Sequence, residues 1–161
     1  LKELKRHTEY FVRNFNAIDS AQKARLLIHH WLDSQSFWSM EDLVLSVATI
    51  LEVIAATAEN ESVAAGNGRL GNFWPRISYA STSRAINPLG PDFRNMRNDL
   101  VHSGVLSAQS FPNRNIQDCA TAVSEAYNWI DTYIFNSFGF GAPSSPRFKS
   151  NDFVFVNSFS L

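Results

Sequence analysis

The chain has little sulfur, no long apolar run and no excess of either charge. It holds one cysteine, Cys119, among 161 residues. A single thiol excludes an internal disulfide framework and a thiolate zinc cluster, and it suits a reducing compartment. No apolar run of about 18 residues or more occurs, so no membrane-spanning helix is expected. The first residues, LKELKRHTEYF, are charged and lack the apolar stretch of a signal peptide. A cytoplasmic protein is the expectation. The start at Leu1 rather than Met points to a piece of a longer protein, one that has lost a sensor domain. Lys and Arg total 14 against 15 Asp and Glu, a net charge of -1. That balance argues against a broad basic binder of nucleic acid.

Several chemical signatures are also missing. There is no Gly-x-Gly-x-x-Gly, no phosphate-loop pattern, no His-Glu-x-x-His and no Gly-x-Ser-x-Gly. His29 and His30 are adjacent, so on a helix they point about 100° apart and do not suit a shared metal. His7 reads as a surface residue. No metal and no cofactor are expected.

What is present is apolar and helical. Hydrophobic residues make up 45% and charged residues 18%, enough to build one core and to exclude wholesale disorder. Leu4, Thr8, Phe11 and Phe15 fall at helical spacing over residues 2–16. Asp19 or Ser20 can cap a second helix through Asp33, with Ala24, Leu27, Ile28 and Trp31 inward. Ser39-Met40-Glu41-Asp42 resembles a capping box. It opens a central helix to Glu59, whose core face is Leu43, Val47, Ile50, Leu51, Ile54 and Ala58. Residues 60–72 are polar and glycine-bearing, so they read as a loop. A helix over 73–85 follows, with Pro75 in its first turn. Asn87-Pro88-Leu89-Gly90-Pro91 breaks the chain. A short helix over 91–103 then ends at Gly104. A long helix over 115–138 carries Ile116, Ala120, Val123, Tyr127, Ile130, Ile134 and Phe138 at spacings of 4, 3, 4, 3, 4 and 4. The four tryptophans, Trp31, Trp38, Trp74 and Trp129, fall at core spacings and are expected to pack.

The expected architecture is an all-α bundle of five to six helices over residues 1–138, followed by a linker and an extended tail over 139–161. In that tail Phe153, Val154, Phe155 and Val156 read as a strand. A lone strand needs a pairing partner, such as a missing domain or a second copy.

One segment stands out: Phe93-Arg94-Asn95-Met96-Arg97-Asn98-Asp99-Leu100-Val101-His102-Ser103-Gly104. At about 100° per residue, Phe93, Met96 and Leu100 share a core-facing side. Arg94, Asn98 and His102 run down another, and Arg97 lies between the two. Arginine holds phosphate and stabilises transition-state charge. Histidine transfers protons near neutrality. Asn98 can orient the imidazole or the phosphate. The same residues also suit a solvated helix face whose histidine satisfies the last carbonyls. Arg69, Arg76, Arg84 and Arg114 either extend a basic rim or are dispersed on the surface. Glu52 is either a core acid paired with an arginine or a site residue.

Arg97-Asn98-Asp99-Leu100-Val101-His102 resembles the Arg-x4-His signature of HEPN domains. Ser103-Gly104 and Met96 continue the likeness, and Leu51-Glu52 is similar to the acidic position of the defence-associated ApeA-like branch. The resemblance implies a metal-independent endoribonuclease in which the RNA 2'-hydroxyl attacks the adjacent phosphate. Arg97 would bind phosphate and His102 would transfer a proton or bind phosphate; beside them, the helical-face reading adds Asn98 as a supporting residue and Arg94 as a substrate-binding one. It also implies a homodimer with a composite site and a role in antiviral defence or stress. Some relatives keep the fold only for RNA binding or dimerisation. In the toxin branch a Tyr stands two positions after the His; here that position is Gly104, so that branch's adenylylation switch is not expected.

Overall fold

The computed structural model describes residues 2–160. The chain is all-helical: α1 Lys2–Gln22, α2 Ala24–Asp33, α3 Met40–Ala64, α4 Phe73–Ser83, α5 Pro91–Ser103 and α6 Ile116–Ser137, then one 3₁₀ turn at Ser150–Asp152. No strand occurs among the described residues.

α3 is the central element and touches all five other α-helices. Ser39 begins it from extended backbone, and its hydroxyl accepts the Asp42 N–H at 3.2 Å. Asp42 reaches back one residue further than a capping box does, accepting the Trp38 N–H at 3.2 Å. The whole expected core face of α3 is buried. Burying each such side chain contributes roughly 1.5 to 3 kcal/mol. The helix also runs past Glu59 to Ala64. The polar residues there find partners, so polarity did not end the helix. Ser62 donates to the Gly68 carbonyl at 2.8 Å, and Glu61 accepts from Gln22 at 2.8 Å and from Arg84. Arg84 further bonds Ser137 and Gln22, each at 2.8 Å, and lies over Tyr133. One guanidinium from the end of α4 thereby joins α1, α3 and α6. It belongs to the interior and is not part of a basic rim.

α1 extends beyond residue 16 to Gln22. It breaks from α2 at Lys23, which takes a left-handed conformation with φ 53°. Neither Gly nor Pro marks this break. Asp19 holds it: its carboxylate accepts the Arg25 N–H at 2.9 Å and pairs with the Arg25 side chain at 3.0 Å. α6 starts on a reciprocal box, with Asn115 accepting from Gln117 and Asp118 while Asp118 accepts from Asn115. Cys119 is buried there, and burial pushes its thiol up to about 11, which suits a small apolar filler.

The tail departs from the strand expectation. Asp131, buried in α6, forms a two-point ion pair with Arg147 and accepts from Trp31 Nε1 at 3.2 Å. Phe148 and Phe153 then stack on Tyr127 at 4.8 and 5.7 Å, and Phe153 is buried while Phe155 is exposed. The chain next turns onto the start of α3. The Asn157 carbonyl accepts the Met40 N–H at 2.8 Å. Glu41 Oε1 accepts the Ser158 and Ser160 hydroxyls, each at 2.6 Å, and the N–H groups of Phe159 and Ser160 at 2.9 and 3.0 Å. An all-helical bundle offers no sheet edge, so turns and one carboxylate satisfy this backbone instead. Of the expected tail only Leu161 lies outside the described residues.

Burial works against the Glu41 charge, yet the Ser158 and Ser160 hydroxyls outweigh it and hold the carboxyl at about 2, below its ordinary 4.5. A carboxyl depressed in the folded chain stabilises it fully above the ordinary value. That stabilisation is lost as pH falls from about 4.5 toward 2. Hydrogen exchange at Met40, Phe159 and Ser160, corrected for intrinsic rates, should therefore lose protection as pH falls from about 4.5 toward 2. Unchanged protection would count against a carboxylate-held tail.

Candidate functional site on α5

Gly90 and Pro91 start α5, with proline at a first-turn position whose N–H would be unpaired in any case. Phe93 and Met96 are buried and Leu100 is half-buried, as the spacing predicts. The helix stays regular through Ser103. Gly104 then ends it with φ +74°, donating its N–H to the Leu100 carbonyl at 3.0 Å. That left-handed value strains any residue with a Cβ.

Both Arg97 and His102 therefore lie inside one regular helix. They project about 140° apart, with Arg94 and Asn98 between them in azimuth. His102 and Arg94 are exposed; Asn98 and Arg97 are half-buried. The result is an arc Arg97–Arg94–Asn98–His102 that begins at the margin of the buried face, holds the exposed Val101 between Arg97 and Arg94, and reaches the solvent side at His102. The bent helix end that would let Arg97 and His102 converge within one chain is not present.

The two arginines differ in their surroundings. Arg97 lies over the Phe73 ring at 5.9 Å and 3.7 Å from Glu52 of α3. Glu52 is exposed, so the expected arginine pairing is there, but at the surface and not in the core. Such a partly exposed pair contributes about 0 to 1 kcal/mol. Arg94 lies over Trp74 at 5.5 Å. Among the described residues it has no carboxylate partner within ion-pair distance. Of the other arginines, Arg76 pairs with Glu59 at 3.4 Å and Arg114 with Asp118 at 3.9 Å, while Arg69 is exposed.

The segment also holds a residue to which sequence reasoning gave no role. Asp99 is buried, with 3% exposure. Its carboxylate accepts the N–H groups of Ala108 at 2.8 Å, Ser110 at 2.9 Å and Phe111 at 2.7 Å. Burial opposes its charge, but these backbone donors hold the carboxyl below the usual carboxylate range. Asp99 thus folds the connection between α5 and α6 back onto α5, where Leu106 and Phe111 are buried. The available signal was an acid three residues after Met96, at the edge of an apolar stripe.

The tryptophans divide. Trp129 is buried and donates to the Asn87 carbonyl at 3.0 Å. Trp31 is half-buried against Asp131. Trp74 is half-buried beside Phe73, with ring centroids 4.6 Å apart. Trp38 is 87% exposed, contrary to the packing expectation, because its neighbours Ser39 and Met40 turn inward while it faces solvent. His29 pairs with Asp33 at 2.9 Å and stacks on His30. Among the described residues no group of three or more His, Cys, Asp or Glu side chains could hold a metal ion, and no helix is long and apolar enough to cross a membrane. No protein-family model matches the chain, and no curated protein or solved structure compared with it is significantly similar.

Proposed function

We propose that this chain is a metal-independent endoribonuclease of the HEPN type, acting in the cytoplasm as an effector of antiviral defence or stress. The observation that carries the reading is the arc on α5, in which half-buried Arg97 and Asn98 and exposed Arg94 and His102 share one side of a helix that Gly104 ends. In the proposed reaction the 2'-oxygen bonds to phosphorus and the bond from phosphorus to the 5'-oxygen breaks. A base takes the 2'-hydroxyl proton, and the departing 5'-oxygen gains one. Arg97 neutralises the phosphate, and His102 transfers a proton or holds the phosphate. Because Arg97 and His102 diverge by about 140°, a second copy supplies the complementary half of the site.

The test is incubation of the purified protein with mixed RNA in excess chelator. Cyclic phosphate and free 5'-hydroxyl ends are expected. A need for divalent metal, or products bearing 5'-phosphates, would remove the proposal. Sedimentation at micromolar concentration should show a dimer, and monomer alone would count against the composite site.

The Glu52 carboxylate beside Arg97 favours a second reading, a noncatalytic module for RNA binding or dimerisation. RNA binding without cleavage, equal in the parent and in His102→Ala, would select it.

A further inference from the structure

We infer that the cleft between α4 and the start of α5 is a nucleobase subsite that selects single-stranded RNA next to the proposed cleavage site. The inference rests on the nuclease reading and names its substrate class.

The two arginines of the α5 arc share one support. Phe73 and Trp74, adjacent at the start of α4, meet edge to face. Arg97 lies over the first ring and Arg94 over the second. One aromatic pair therefore backs both guanidinium groups. Beside the indole opens a cleft of about 170 Å³, lined by Trp74, Ser78, Leu89, Pro91 and Arg94. Trp74 and Ser78 are four apart on α4 and so share a helix face. Ser78 is exposed, so its hydroxyl is available to a ligand.

These are the elements that recognise an unpaired base. An aromatic face stacks any base, a hydroxyl reads an edge, and an arginine takes the attached phosphate. The cleft suits one base, whereas a duplex keeps its bases stacked and paired. Arg94 fits the phosphate-clamping role because it is exposed and has no carboxylate partner among the described residues, unlike Arg97 with its Glu52. Its place in the arc, between Arg97 and Asn98, would carry the strand from the base cleft toward the reacting phosphate.

The test uses His102→Ala as a background that binds without cutting. Affinity is measured for a single-stranded oligonucleotide of about ten residues and for the matched RNA duplex. Adding Trp74→Ala should weaken single-strand binding about tenfold or more and duplex binding far less. Trp74→Phe should retain most of the affinity. Ser78→Leu, a surface change that fills the cleft without threatening the fold, should reproduce the loss. Equal single-strand affinity in the His102→Ala background with and without Trp74→Ala and Ser78→Leu would overturn the subsite. If the Trp74 and Ser78 variants cut single-stranded RNA with parental kcat/KM, the subsite falls and the nuclease reading stands. A parent that neither binds nor cuts any RNA removes the nuclease reading, and the subsite with it.

Discussion

Arg97→Ala should cut RNA about a hundred- to a thousandfold more slowly than the parent, the loss typical when one preorganised donor to transition-state charge is removed. The fold should survive the change. Arg97 is only half-buried, and its contacts are an exposed ion pair with Glu52 and an approach to Phe73. Together these contribute about 1 kcal/mol. Arg97→Lys keeps the charge but loses the planar fork, so it should recover only part of the rate. A composite site adds a sharper expectation. Arg97→Ala and His102→Ala, each strongly slowed alone, should regain activity when mixed. One of the two sites in the mixed dimer then combines an intact Arg97 from one copy with an intact His102 from the other. Gel-resolved cleavage of a labelled RNA measures both effects. Parental rates in Arg97→Ala would remove the catalytic role, and a mixture no faster than either variant alone would remove the site shared between copies.

The second large effect is on stability. Asp99→Ala leaves the N–H groups of Ala108, Ser110 and Phe111 without their acceptor and frees the connection that covers α5. Hydrogen bonds to a charged group contribute about 1.5 to 3 kcal/mol each, and they act here as one set. A loss of about 3 kcal/mol is expected, or a fall in Tm of roughly 6 to 12 °C for a chain of this size. Asp99→Asn should fall between parent and Asp99→Ala, because its amide nitrogen meets donors where acceptors are needed. The pH dependence follows from the depressed carboxyl. Its stabilisation is fully present above the ordinary value of 3.8 and fades as pH drops below it. The Tm gap between parent and Asp99→Ala should therefore shrink in acid. A constant gap from neutral pH to about pH 3 would argue that the loss is one of packing alone.

Where periodicity and caps agreed, the sequence was legible. α3, α5 and α6 each combine a buried stripe with a recognisable start, and Gly104 stops α5 in the left-handed conformation that glycine favours. The break at Lys23 was hidden because the residue itself carries no signal. Its cost is met by Asp19, whose bonds to Arg25 span a turn that only the fold reveals. The tail misled for a related reason. Alternating Phe and Val reads as a strand, but a strand requires an edge, and a helical bundle has none. Phe153 fills a gap beside Tyr127 instead, leaving Phe155 outside. On α5 the residues of the arc were legible one by one, since helical geometry fixes their azimuths. Asp99 was not, because a buried acid looks wrong until its three distant amide donors are seen. Nor was the aromatic support under Arg94 and Arg97, which comes from α4 and depends on how two helices pack.

The hold of Glu41 on Ser158 and Ser160 also orders events in time. Those partners are separated by more than a hundred positions in the chain, with Glu41 and Ser160 119 apart. The helices form from neighbours, but this contact waits for loop closure across about three-quarters of the described chain. During synthesis the start of α3 leaves the ribosome long before its partner is made. A nascent chain would thus carry an open Glu41 until Ser158 and Ser160 emerge.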